Sequence, residues 1–144
     1  MNVYSMMDRA TKWVVSRFGQ PAMHPRERCA RLLEEVAELC QAEGMPLVDY
    51  IATGIHVFNR PVGEPTQEAA GVSICLLLYC SSKWLDLEAL TETELRRIEG
   101  KSIEHFRARH QVKVDAGIAL EMAEGDSPPE TASLPGFTLG SRKG

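Results

Sequence analysis

Apolar residues recur at every third or fourth position along most of the chain, the spacing that places them on one face of an α-helix. No segment shows the strict alternation of apolar and polar residues that is typical of a β-strand. The pattern therefore predicts an all-α protein, a helical bundle of about five helices. The predicted helices are 6–18, 26–43, 46–58, about 66–83, and 85 to about 113 with Gly100 as an interruption.

The fourth predicted helix is apolar on all sides over residues 69–80. A helix of this kind is normally buried among others, so we expect it to be the most buried helix of the bundle. The second and fourth helices together carry more apolar surface than a thin monomeric bundle covers. We therefore also expect at least a dimer, in which a helix bundle is shared between chains.

The helical pattern fades after Val114, and residues 125–144 are rich in Ser, Pro and Gly. Such a composition is typical of a segment that does not build a packed core. The sequence thus predicts one helical domain, 1–116, followed by a disordered tail, 117–144.

Composition and charge exclude several classes of function. The hydrophobic fraction of 44% and the charged fraction of 25% suit one soluble domain. The net charge of -4 gives no basic face for long nucleic acid, although a metal ion could still attract a small anion. The most apolar run, residues 69–80, is shorter than the roughly 20 residues that span a bilayer, so no membrane association is expected.

The four cysteines do not form a CxxC pair, and each lies in an apolar stretch of helical pattern. Zinc sites need short paired spacings, so we interpret these cysteines as buried free thiols. Free thiols and the lack of a visible signal peptide at the N-terminus predict a cytoplasmic protein.

Three carboxylates, Glu34, Glu35 and Glu38, fall within an arc of about 100° on one face of the second predicted helix. Arg31 is placed to pair with either of the first two. Glu38 has no basic residue three or four positions away, where its neighbours are Glu34, Glu35, Gln41 and Ala42. A divalent cation would turn the repulsion into coordination, and magnesium favours carboxylate oxygens. The alternative is a solvated helix face, because glutamate is a good helix former.

Glu68 opens the fourth predicted helix, where an unpaired charge beside apolar residues is costly. If the second and fourth helices are neighbours, Glu68 faces the three glutamates of the second helix. Carboxylates on facing helices commonly build metal sites in bundles. The alternative to a metal ligand is that Glu68 only stabilises the start of the helix, where the helix dipole favours a negative charge.

The chain resembles the MazG-like all-α nucleoside triphosphate pyrophosphohydrolases, and more closely a phage-type branch of that superfamily. The resemblance spans about residues 8–112. Its matching pieces are RATKW at 9–13, FG at 18–19, RER at 26–28, RLLEEVAEL at 31–39, and RPVGEPTQE at 60–68 followed by Gly71 and Val72.

The resemblance implies a helical fold, a homodimer or homotetramer, and dependence on magnesium, with manganese as the alternative metal. It implies cleavage of a nucleoside triphosphate between the α and β phosphates, which yields a nucleoside monophosphate and pyrophosphate. A metal held by carboxylates would neutralise the phosphates while an activated water attacks. By motif, Glu34, Glu35 and Glu38 match the first metal-binding set and Glu68 the first acid of the second. Glu35 and Glu38 are the catalytic candidates.

One position departs from the broad superfamily, which has an ExxD motif in its second set. Gly71 stands here where the aspartate is expected. Glycine is also frequent at this position in the phage-type branch. Glu64 or a water would then complete the ligand set.

Substrate contacts are expected from basic and aromatic residues. Several basic side chains lie on the last predicted helix: Lys101, Arg107, Arg109, His110 and Lys113. Of these, Lys101 and Arg107 resemble basic positions that close the site in relatives, although such residues often simply face solvent. Trp13 could stack on a base, and its alternative role is packing in the core.

Three functions remain open on the sequence. The first is a pyrophosphohydrolase acting on a nucleoside triphosphate. The second is a catalytically reduced helical module that binds nucleotides or proteins, an alternative that Gly71 supports. The third is a structural helical oligomer without a ligand.

Overall fold

The computed structural model describes residues 2–119, and all regular structure within that range is helical. The predicted all-α fold is therefore confirmed. The helices are α1 (Val3–Phe18), α2 (Pro25–Ala42), α3 (Leu47–Phe58), α4 (Pro65–Ser82), α5 (Leu87–Glu99) and α6 (Ile103–Asp115), with a short 3₁₀ turn at Gln20–Met23. The predicted tail lies outside the described residues, except for 117–119.

The single helix predicted over 85–113 is two helices in the structure. α5 ends at Glu99, and the side chain of Ser102 then accepts the backbone N–H of His105 to begin α6. This hydrogen bond satisfies one of the donors that a new first turn leaves unpaired. The interruption expected at Gly100 is thus a helix boundary, created by a serine cap two residues later.

A small core forms where α1 packs against α5 and α6. Val15 of α1 and Leu95 of α5 are among its few buried apolar side chains. At the edge of this core, Arg9 donates hydrogen bonds to Glu92 at 2.8 and 2.9 Å and to Glu99 at 2.6 Å. These bonds raise the pKa of the Arg9 guanidinium, because both carboxylates of α5 favour its charged form.

The expectation that α4 is the most buried helix is wrong for the described chain. Cys80 is its one buried residue, and its central apolar side chains are between 41% and 64% exposed. The physical reason is the direction of α4, which is bent by 103° relative to α5, so that its apolar side chains meet α1 and α5 only across an open groove. Near its C-terminal end, Tyr79 and Lys83 each donate a hydrogen bond to Glu43 at the end of α2, at 2.8 and 3.0 Å.

Between residues 2 and 119, no single helix is both long and apolar enough to cross a bilayer. Only α4 and α5 taken together, as a sharply bent pair, satisfy the length and composition that such a crossing needs.

Candidate functional site

The acidic face of α2, defined as Glu34, Glu35 and Glu38, forms as the sequence predicts. Pro25 occupies the first turn of α2, and the side chain of His24 accepts an N–H there. From this start the helix continues without a break to Ala42, so the three carboxylates share one face. Glu34 is half-buried, whereas Glu35 and Glu38 are exposed.

Glu34 is already held by two cations. Its Oε2 lies 2.5 Å from the Arg31 guanidinium and 2.8 Å from Nζ of Lys113, which belongs to α6. The Arg31 pairing was predicted from its spacing of three residues. The Lys113 pairing was not, because 79 residues separate it from Glu34 and the sequence offers Lys113 only as one of several basic residues.

Glu35 and Glu38 differ from Glu34, since neither forms an ion pair or side-chain hydrogen bond within residues 2–119. Arg97 of α5 lies close enough to Glu35 for their charges to interact. The pKa of Arg97 is raised chiefly by its hydrogen bonds with Glu94, and in smaller part by the charge of Glu35. Arg97 is a basic neighbour that the sequence reasoning missed, because nothing local connects α5 with α2.

Glu68 lies in the first turn of α4, as predicted, and its side chain folds back towards the preceding loop. A Cβ atom at Gly63 would collide with Oε1 of Glu68, so glycine allows this close approach. In the same helix, a Cβ atom at Gly71 would meet no described atom within 4 Å. An aspartate therefore fits at this position without displacing the chain.

The described part of the chain contains no group of three or more His, Cys, Asp or Glu side chains already arranged to hold a metal ion. The structure thus places Glu34, Glu35 and Glu38 on one face, and it places Glu68 against its own loop.

Of the residues predicted to bind substrate, Trp13 packs edge-to-face against Phe18 and Phe106, with ring centroids 6.0 and 5.0 Å apart. These contacts make its ring part of the packing between α1 and α6. Lys101 is half-buried just before α6, and Arg107 is exposed on α6. Among the residues described, Lys113 is the α6 cation that contacts the acidic face.

An open cleft of about 560 Å³ lies beside the acidic face. Its walls include Arg31 and Glu34 of α2, Tyr50 of α3, and residues 117–119. Glu27, which is only 3% exposed, also lines the cleft and ion-pairs with Arg31 at 3.2 Å. Acidic and basic groups therefore alternate along this wall, and Arg31 is paired with both Glu27 and Glu34.

Comparisons with known proteins do not name a family for this arrangement. No family model matches the sequence, no curated protein matches it, and no solved structure matches it. The resemblance to the MazG-like pyrophosphohydrolases therefore rests on the motifs themselves, and the activity that it implies is a proposal.

Proposed function

We propose that the protein is a magnesium-dependent nucleoside triphosphate pyrophosphohydrolase, which releases a nucleoside monophosphate and pyrophosphate. The observation that carries this proposal is the pair Glu35 and Glu38, three residues apart, exposed, and without an ion-pair partner within residues 2–119. Like charges at this spacing repel each other, and a divalent cation removes the repulsion. Magnesium and manganese both favour carboxylate oxygens, so the donor set fits either metal.

The acidic face and Glu68 would hold the metal, which supplies charge neutralisation and water activation when bound. Glu35 and Glu38 are the proposed catalytic pair, because their carboxylates are free to meet a ligand. Lys101 and Arg107 are proposed to bind the phosphates, since both carry positive charge at or just before α6, the helix that also supplies Lys113. The cleft is proposed as the nucleotide site, because Glu34 of the acidic face lines its wall.

We also propose that the chain acts as a homodimer or homotetramer joined through α3 and α4. Both helices expose large apolar side chains on faces that a soluble monomer rarely leaves uncovered. Those of α3 are Leu47, Val48, Ile51, Ile55, Val57 and Phe58, and those of α4 are Val72, Ile74, Leu76, Leu77 and Leu78. The four cysteines are free thiols, which suits the cytoplasm as the proposed location.

A panel of ribo- and deoxyribonucleoside triphosphates, assayed with magnesium for pyrophosphate release, tests the proposed activity. The matched variants are Glu38→Gln, which removes a free charge from the acidic face, and Asp8→Asn, which removes an exposed charge from α1. Turnover should fall by about two orders of magnitude or more in the first variant, because a lost ligand misplaces the metal and its water. It should be unchanged in the second.

A second candidate function is a catalytically reduced module that binds nucleotides or protein partners. Gly71 in place of an acid and the exposed faces of α3 and α4 favour it. Equal turnover in the wild type and the Glu38→Gln variant, or no turnover at all, would favour this module over the enzyme. The variant Gly71→Asp separates the cases further, because it should raise turnover only if the missing acid limits catalysis.

A further inference from the structure

We propose that Lys113 is an internal counter-ion that occupies Glu34 in the metal-free protein and competes with the divalent cation for it. This inference rests on the proposed function and concerns the regulation of the same site. It starts from one contact, the ion pair of 2.8 Å between Nζ of Lys113 on α6 and Oε2 of Glu34 on α2.

The two cations on Glu34 converge on a single oxygen atom. Arg31 and Lys113 both contact Oε2, and all three side chains are only 17% to 22% exposed. A magnesium ligand must bring its oxygen to about 2.0–2.1 Å from the metal. Two positive groups already placed at Oε2 repel an arriving metal ion. Metal binding through this oxygen requires at least one of them to leave, and binding through Oε1 is weakened by their charge.

Lys113 is the cation that is free to leave. Arg31 is fixed by further contacts, since it ion-pairs with the buried Glu27 at 3.2 Å and also donates to the backbone carbonyl of Ile118. No hydrogen bond or ion pair other than the one with Glu34 holds the Lys113 ammonium within residues 2–119. An ammonium is a compact charge on a flexible stem, so it can withdraw into water without disturbing the helix that carries it.

Competition of this kind has a definite consequence for the acidic face. Without a metal, Lys113 reduces the repulsion that Glu34 exerts on Glu35 and Glu38, and the helix keeps its structure. With a metal, the energy of breaking the ion pair is subtracted from the binding energy. Lys113 therefore lowers the metal affinity of the site, so that binding requires a higher concentration of the cation.

The test is calorimetric titration of the full chain with magnesium chloride, and separately with manganese chloride. The variant Lys113→Met keeps most of the stem and removes the charge, so it should bind either metal about threefold to fivefold more tightly than the wild type. Lys12→Met is the matched control, because it breaks an ion pair of the same length, 2.8 Å, with Asp8 on α1. The control should bind the metal as the wild type does.

A double-mutant cycle separates the direct effect from a general change in charge or fold. In a Glu34→Gln background, Lys113→Met should no longer change the affinity, because the carboxylate that Lys113 occupies is gone. Circular dichroism shows whether each variant keeps its helices, and Lys113→Arg, which keeps the charge, should behave as the wild type.

The inference is overturned if the wild type binds metal and Lys113→Met binds it no more tightly, or if Lys12→Met gains as much. It is also overturned if the gain persists in the Glu34→Gln background. If neither the wild type nor any variant binds a divalent cation, the proposed metal site itself fails and the inference fails with it. The two kinds of failure are thus distinguished by the wild-type titration alone.

Discussion

Placing a charge on the outer face of α4 should separate the proposed oligomer into single chains. Leu78 is suited to this change, because it is 64% exposed and does not line the groove that Leu76 and Leu77 of α4 form with α1 and with Leu95 of α5. The same face of the helix carries Ile74, one turn earlier. The variant Leu78→Glu should therefore leave the fold of each chain intact while it disrupts contact between chains.

The size of the effect follows from the exposed fraction of Leu78. Full burial of a leucine side chain contributes about 1.5–3 kcal/mol, so burying the remaining 64% contributes about 1–2 kcal/mol per chain. A symmetric dimer loses this contribution twice, and each glutamate adds the cost of removing a charge from water. The association free energy should fall by at least about 3 kcal/mol, which raises the dissociation constant more than about a hundredfold.

Light scattering after size-exclusion chromatography at micromolar concentration measures the result. The wild type should have the mass of two or four chains, and Leu78→Glu the mass of one. Val112→Glu is the matched control, since Val112 is also exposed, at 67%, but lies on α6. A wild type with the mass of one chain would contradict the proposed oligomer. An oligomer that survives Leu78→Glu, or that dissociates equally in Val112→Glu, would show that this face of α4 does not hold the chains together.

Three further predictions concern stability. Leu95→Ala should lower the free energy of unfolding by about 2–4 kcal/mol in urea denaturation, because Leu95 is almost fully buried and the neighbouring groove limits the cavity that forms. Trp84→Gly should raise the free energy of unfolding by about 1 kcal/mol. The left-handed φ of 56° at Trp84 is unfavourable for a residue with a Cβ atom and is relieved by glycine, and the side chain is 96% exposed, so little packing is lost. A lower stability of the variant would contradict this prediction. The contact between α2 and α4 should be strongest from about pH 4.5 to about pH 10.5. Hydrogen bonds from Lys83 and then Tyr79 lower the pKa of Glu43, so the stability that the Glu43 carboxylate contributes is lost as the pH falls through this lowered pKa. The hydrogen bond to Glu43 raises the pKa of Lys83, so the stability that the Lys83 ammonium contributes is lost as the pH rises through this raised pKa. The difference in melting temperature between the wild type and Glu43→Gln should therefore shrink at both ends of this range, and a constant difference would contradict it.

Local features of the sequence were sufficient to predict the helices and the acidic face of α2. The spacing of apolar residues defined α1 to α4 to within a few residues, because a helix places residues three and four apart on the same side. The same rule put Glu34, Glu35 and Glu38 together and paired Arg31 with Glu34. It also marked Gly100 as an interruption of the last predicted helix, and α5 ends there, although the start of α6 depends on the side chain of Ser102 acting as a cap.

The surroundings of these elements depend on how the helices pack. An apolar pattern shows that a helix should be covered, but it does not show which element covers it. We therefore expected α4 in the core, whereas the described residues leave its apolar side chains exposed. In the same way, the sequence alone could not select Lys113 over Lys101 or Arg107 as the cation that reaches Glu34. The pairing depends on the direction in which α6 leaves the α1 core, and that direction is a property of packing between helices distant in sequence. Local hydrogen bonds and periodicity are determined within about one turn of chain, whereas burial and long-range ion pairs depend on how whole helices are placed.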